Sequence, residues 1–221
     1  MANTDKIKGI SKAHTIYKLA DGKTRVPGAT TITGLLNKPY LVKWANNLGL
    51  EGIDSSTYTD EAAKIGTLAH AMVQAHLQNQ KLDMDQFSKT QIDLAENALI
   101  SFYEWMSRHE IVAFQCETPM VSEKNRYGGT IDCYCLLDGV PTLLDFKTGK
   151  AIYEEYFVQL AAYRNLLEEQ GLPVQRCQIL RIGRDETEGF EERSVADTSK
   201  YFQIFMRLLD VYYLKKELGW K

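Results

Sequence analysis

A chain of 221 residues, 44% apolar and 25% charged, is long enough to bury a sizeable core and excludes disordered or fibrous classes. No apolar run approaches the roughly 18 residues of a membrane span, and the opening Met1-Ala2-Asn3-Thr4-Asp5-Lys6 lacks the apolar stretch of a signal peptide. An intracellular, cytoplasmic location and no membrane partner are therefore expected. The net charge of −3 does not advertise a nucleic-acid binder, but residues 1–50 carry eight cations against two anions. That local excess of +6 leaves −9 on the remainder and suggests a basic face able to follow a phosphate backbone.

In chain order, residues 14–20 and 24–32 predict a small hairpin around Asp21-Gly22-Lys23. Thr33 is placed to cap a short helix from Leu35 to about Leu48, ending near Gly49. Asp60 has the chemistry of a helix N-cap, and Ile65, Leu68, Met72 and Ala75 recur behind it at helical spacing. A third helix is predicted from Thr90 to Arg108 through Ile92, Leu99, Phe102 and Met106. The pattern then changes to strands, with Ile111 to Val121 feeding a hairpin over Tyr127–Thr148. A helix from Glu154 to Glu169 is stopped by Gly171 and Pro173. Two more strands, Arg176–Gly183 and Phe190–Val195, precede a last helix from Asp197 with Tyr201, Phe205, Leu208 and Tyr212 as its apolar stripe. Helices, three strands, a crossover helix and further strands predict an α/β fold with a mixed central sheet flanked by helices. Without repeats or a linker, one domain over 1–221 is expected, a basic extension over 1–59 leading into a core over 60–221.

The central hairpin carries the chemistry. Asp138-Gly139 is a strong two-residue turn signal, because a tight turn needs positive φ there. The register that follows sets Asp132 directly opposite Asp145, with Lys147 on the same face and Leu144 and Phe146 on the other. Like charges facing each other across a sheet repel. A hard divalent cation relieves that repulsion, and Mg²⁺ is commonly held by one or two carboxylates with water and substrate phosphate. Metal-assisted phosphodiester hydrolysis needs an ion to polarise the phosphate and a cation to offset developing charge, and Asp145-Phe146-Lys147 offers a ligand and a cation together. The four cysteines lack zinc or cluster spacing; Cys133 and Cys135 are expected as buried thiols on the Leu144/Phe146 face.

These motifs, taken in order, resemble the PD-(D/E)XK nuclease superfamily, most closely its RecB-type and phage-type exonuclease branch, which includes the mitochondrial genome maintenance exonuclease. The likeness rests on His70 within Gly66-Thr67-Leu68-Ala69-His70, then Gly129-Thr130-Ile131-Asp132, Asp145-Phe146-Lys147 and Gln159-Leu160-Ala161-Ala162-Tyr163. The lead-in Val26-Pro27-Gly28-Ala29-Thr30-Thr31-Ile32 extends it towards residue 25.

The resemblance implies a restriction-endonuclease-like core with an N-terminal helical and hairpin extension. It implies that Asp132, Asp145, His70 and the Phe146 carbonyl ligate Mg²⁺ or Mn²⁺, and that Lys147 orients or activates water. Gln159 and Tyr163, at i and i+4 on one helix face, would contact substrate phosphate or buttress Lys147. No iron–sulfur cluster is expected. The implied activity is a divalent-metal-dependent DNA exonuclease for end processing in replication, repair or recombination, working on DNA and with a recombination or replication partner protein. The alternatives are a structure-specific or nicking endonuclease of the same fold and a non-catalytic DNA-binding or assembly module. Glu117, on the strand before the hairpin, is expected to have no direct role, and Tyr134 to wall the site.

Overall fold

The computed structural model describes residues 6–7 and 15–220. Two short strands, β1 (Lys6–Ile7) and β2 (Tyr17–Lys18), are followed by β3 (Arg25–Val26) and three helices: α1 (Ala29–Thr33), α2 (Pro39–Leu50) and α3 (Ser55–Leu77). Next come β4 (Lys81–Leu82), α4 (Lys89–Met106), β5 (Ile111–Ser122), β6 (Tyr127–Leu137) and β7 (Val140–Lys147). The chain closes with α5 (Glu155–Glu169), β8 (Arg176–Ile182), β9 (Phe190–Val195) and α6 (Ser199–Glu217).

Strands β5 to β9 form one five-stranded sheet in sequence order. All neighbours are antiparallel except β7 and β8, which are parallel and joined through α5. A parallel pair needs such a crossover, whereas the antiparallel pairs close through short turns. The expected mixed α/β sheet flanked by helices is therefore present.

Alternation along the strands sorts side chains between two cores. Cys133, Cys135, Leu144, Phe146, Leu180 and Ile182 pack against α3 and α4, whose Leu68, Phe102 and Trp105 are fully buried. On the other face Leu143 and Ile179 meet α1, α5 and α6 through Ile32, Leu160 and Phe205. Burying each large apolar side chain contributes about 1.5–3 kcal/mol, so two such layers fix the sheet between them. Cys133 and Cys135 lie where expected, and all four cysteines are buried free thiols.

The hairpin turn also matches, with Asp138 at φ 53° and Gly139 at φ 77°, the positive pair that a two-residue turn demands. Gly171 ends α5 at φ 77°.

Three N-terminal expectations need correction. β2 and β3 do pair as a hairpin, but Ala29–Thr33, expected as strand, is helix α1. The short helix begins at Pro39 rather than Leu35, since proline at the first helical position pre-sets φ and sacrifices no bond; Thr33 ends α1 instead of capping α2. Helix α3 starts at Ser55, capped by Asp54, whose carboxylate accepts from the Thr57 N–H at 2.7 Å; Asp60 sits inside the helix. His14, Lys8 and Lys12 lie outside the described residues.

Gly128 ties the N-terminal hairpin to the sheet. Its N–H donates to the Pro27 carbonyl at 2.9 Å, and a Cβ there would stand 2.2 Å from Tyr17 Cγ. Gly128→Ala is expected to lower unfolding stability by about 1–3 kcal/mol through this overpacking. It should also speed proteolysis within residues 15–28, a change read by denaturant titration and limited digestion.

Candidate active site

Three strands and two helices converge on one cavity of about 550 Å³. Strand β6 contributes Asp132, β7 contributes Asp145 and Lys147, and β5 contributes Glu117. Helix α3 supplies His70, and α5 supplies Gln159 and Tyr163. Tyr17, Gly28, Thr30 and Thr31 form the N-terminal wall.

The β6–β7 ladder runs in the expected register from Leu137↔Val140 to Cys133↔Leu144 and stops there. Asp132 and Asp145 fall one step beyond it and are not a ladder pair, which corrects the expected direct opposition. The physical reason is a substitution of partners. The Asp132 Oδ2 accepts the Phe146 N–H at 2.8 Å, and β7 continues as a neighbour of β8 through Lys147↔Arg181. The β6–β7 ladder thus ends where the acidic residues begin, and Asp132, Asp145 and Lys147 line the cavity there.

Asp132 is 7% exposed and Asp145 2% exposed. Asp145 Oδ2 lies 2.6 Å from Lys147 Nζ, an ion-pair distance, yet makes no hydrogen bond of good geometry. Burial raises the Asp145 carboxyl above its usual range, Lys147 pulls it down, and the Asp132 charge pushes it up again. Lys147 is held from three sides: by Asp145, by Gln159 Oε1, which accepts its proton at 3.5 Å, and by the Tyr156 ring, 4.9 Å to the centroid. Gln159 Nε2 donates to the Tyr163 hydroxyl at 2.7 Å, which links the two α5 residues to each other and, through Gln159, to Lys147.

His70 stands one helical turn beyond Gly66. A Cβ at Gly66 would come within 2.8 Å of Thr148 Oγ1, so α3 packs closely on the end of β7. His70 Nδ1 is 3.4 Å from Asp132 Oδ2 and 4.0 Å from Glu117 Oε1. The imidazole and the Glu117 and Asp132 carboxylates offer ligand atoms that all lie within 4.8 Å of one another. Such a donor set suits Mn²⁺ and, through its oxygens, Mg²⁺.

The expected ligands were His70, Asp132, Asp145 and the Phe146 carbonyl. The structure brings His70 and Asp132 together, adds Glu117, and holds Asp145 on the same cavity against Lys147. Glu117 has φ 48°, a left-handed backbone that a non-glycine residue rarely adopts and that tends to cluster at functional sites. The available sequence signal was that Glu117 is the one charged residue between Ile111 and Val121. Tyr134 does not wall the site; its hydroxyl donates to the Pro173 carbonyl at 2.7 Å. His76 and His109 belong elsewhere, His76 against Tyr103 and His109 against Asp138.

Known structures that resemble this one include a provisionally assigned exonuclease from Eubacterium rectale, at TM-score 0.46 and 17% identity, covering 70% of this chain and 68% of that one. The alkaline exonuclease LHK-Exo from Laribacter hongkongensis matches at TM-score 0.38 and 12% identity over 87% of this chain and 92% of its own. The same enzyme in complex with dAMP matches at TM-score 0.42 and 10% identity over 88% and 93%. No family model and no curated protein matches the sequence.

Two measurements probe this geometry. Excess Mn²⁺ should raise the melting temperature of the wild type by preferential binding to the folded state, and Asp132→Ala should remove the shift. Because burial raises the Asp145 carboxyl, this group favours the metal-free fold only in acid, and that contribution is lost as pH rises through its folded value. Metal needs the ionised form, so the Mn²⁺-induced shift should shrink as pH falls through the same range. Separately, a Cβ at Gly129 would meet Tyr163 Cε1 at 2.5 Å. Gly129→Ala should therefore displace the tyrosine and cost about 1–3 kcal/mol, read by thermal unfolding.

Proposed function

We propose that this chain is a divalent-metal-dependent deoxyribonuclease of the PD-(D/E)XK type, an exonuclease processing DNA ends in replication, repair or recombination. The observation that carries the reading is the convergence of His70, Glu117, Asp132, Asp145 and Lys147 on one cavity, with the histidine, acidic and lysine motifs in the sequence order the RecB-type and phage-type branch displays. The cavity volume, about 550 Å³, falls within the range that holds a nucleotide-sized ligand.

His70, Glu117 and Asp132 would hold Mg²⁺ or Mn²⁺, with Asp145 beside them. When bound, the ion supplies Lewis acidity towards the phosphate and lowers the pKa of a coordinated water. The chain's own groups do the remainder. The Phe146 N–H fixes the Asp132 carboxylate. Asp145, Gln159 and the Tyr156 face hold the Lys147 ammonium where it can orient the attacking water and offset charge developing on the phosphate. Tyr163 steadies Gln159 and through it Lys147.

The 2.6 Å approach of Lys147 to Asp145 supports a second reading, in which the acidic hairpin is a structural ion pair within a DNA-binding or assembly module. Digestion of labelled single-stranded, linear duplex and closed circular DNA with Mg²⁺ or Mn²⁺ separates the possibilities. Linear DNA should be degraded, closed circles spared, and EDTA should stop the reaction. Lys147→Ala should lose about 10²–10⁴ in rate, as expected for removal of a charge-stabilising or proton-handling group. Equal digestion by wild type and Lys147→Ala would overturn the assignment. Cleavage of closed circles would make the protein an endonuclease. DNA binding without cleavage in any divalent ion, with an unchanged melting curve in Mn²⁺, would favour the module.

A further inference from the structure

Helix α2 buries none of its twelve residues. Tyr40 is 41% exposed and Trp44 36% exposed, and at i and i+4 they share one face. Left bare, an aromatic face of this kind is costly in water, and its position explains its use. The Tyr40 ring stacks on Tyr153 with centroids 5.3 Å apart and planes 9° from parallel. Tyr153 meets Tyr156 edge-on at 5.6 Å, and Tyr156 lies beneath the Lys147 ammonium. At the other end Trp44 meets Tyr58 of α3 edge-on at 5.7 Å, and Tyr58 is itself 42% exposed. A continuous aromatic path therefore leads from Lys147 to the surface of α2.

Helix α2 itself carries only cationic charge, Lys43, with Lys38 at its N-cap. From Gly22 to Leu50 the sequence contains Lys23, Arg25, Lys38 and Lys43 and no acidic residue. Lys38 is tied to Glu155 at 3.2 Å, and Glu155 also accepts from the Tyr40 hydroxyl at 2.8 Å, so the start of the helix is anchored to α5. Exposed aromatic faces on an element that carries cations and no acid of its own are a surface on which unpaired bases stack while their phosphates are neutralised. A duplex keeps its bases stacked inside and can offer only phosphates to such a face.

We propose that α2 is a stacking rail for one strand of DNA, with Tyr40 and Trp44 receiving successive unpaired bases and delivering the strand to the cavity beside Lys147. The proposal rests on the nuclease reading above and sharpens it: the substrate is DNA with a single-stranded end.

The test is fluorescence anisotropy with the full chain in EDTA, comparing a fluorescein-labelled dT20 oligonucleotide with a blunt 20-base-pair duplex. The wild type should bind dT20 more tightly than the duplex. Trp44→Ala and Tyr40→Ala should each weaken dT20 binding roughly tenfold, in line with loss of one base–aromatic stack, with little change for the duplex. Trp44→Phe should retain most of the affinity, whereas Trp44→Leu should lose as much as Trp44→Ala. With no buried residue in α2, the Trp44 variants should melt within a degree or two of wild type; Tyr40→Ala also removes the Tyr153 stack and the Glu155 bond, so its binding is read beside its melting temperature and Trp44 carries the decision.

Unchanged dT20 affinity in both alanine variants, full retention by Trp44→Leu, or tighter wild-type binding to the duplex would overturn the rail. Full retention by the leucine variant would mark the face as an apolar protein contact. Because no cleavage is measured, the result is independent of turnover. Stacking-dependent binding with no DNA digestion in Mn²⁺ would sink the nuclease reading alone, and digestion with indifferent alanine variants would sink the rail alone.

Discussion

Two carboxylates carried almost out of water on neighbouring strands are the constraint around which this protein is arranged. A lone buried carboxylate is expensive, and a second beside it makes both worse. Each is compensated differently. Asp132 takes a backbone N–H that regular pairing would have used elsewhere, and Asp145 takes an ammonium. The first compensation replaces the backbone ladder beyond Cys133 with a side-chain bridge, and the second sets a cation beside the buried acid. Cavity, acid pair and lysine are thus three aspects of one electrostatic arrangement.

The surrounding layers hold the arrangement in place. Phe146 alternates with Asp145 and Lys147, so its ring enters the opposite core and packs edge-on against Phe102 at 5.8 Å and His70 at 6.0 Å. The strand that presents the charges is anchored by the residue between them. Helix α5 plays the same part on the other face, where Leu160 and Leu167 are buried while Gln159 and Tyr163 reach the cavity. Neither face is free to shift without moving a charged group.

What the sequence made legible follows from how local each signal is. Asp138-Gly139 sets the hairpin register within two residues, and the shared face of Asp132, Asp145 and Lys147 then follows from strand alternation alone. The i, i+4 relation of Gln159 and Tyr163 is equally local. Periodicity could not show where the ladder ends, because that depends on Asp132 preferring the Phe146 N–H to solvent. Nor could it show Glu117 turning inward, since a left-handed residue inside a strand leaves no mark on the alternation. The N-terminal third misled for a related reason: Ala29-Thr30-Thr31-Ile32 is rich in β-branched residues, yet tertiary burial of Ala29 and Ile32 against α5 and α6 makes it helix.

The positions of the site groups along the chain have a further consequence. Asp132, Asp145, Lys147, Gln159 and Tyr163 occupy one uninterrupted stretch that forms a single ββα unit, while the outer wall comes from residues far upstream. His70 and Glu117, the other two members of the donor set, reach the cavity from outside that unit, on α3 and β5. The wall is fastened to that unit through the Tyr17–Thr130 hydroxyl contact at 2.9 Å and the seat of Tyr17 on Gly128, so exchanging the upstream segment would carry its effect straight into β6 and the acidic residue that follows.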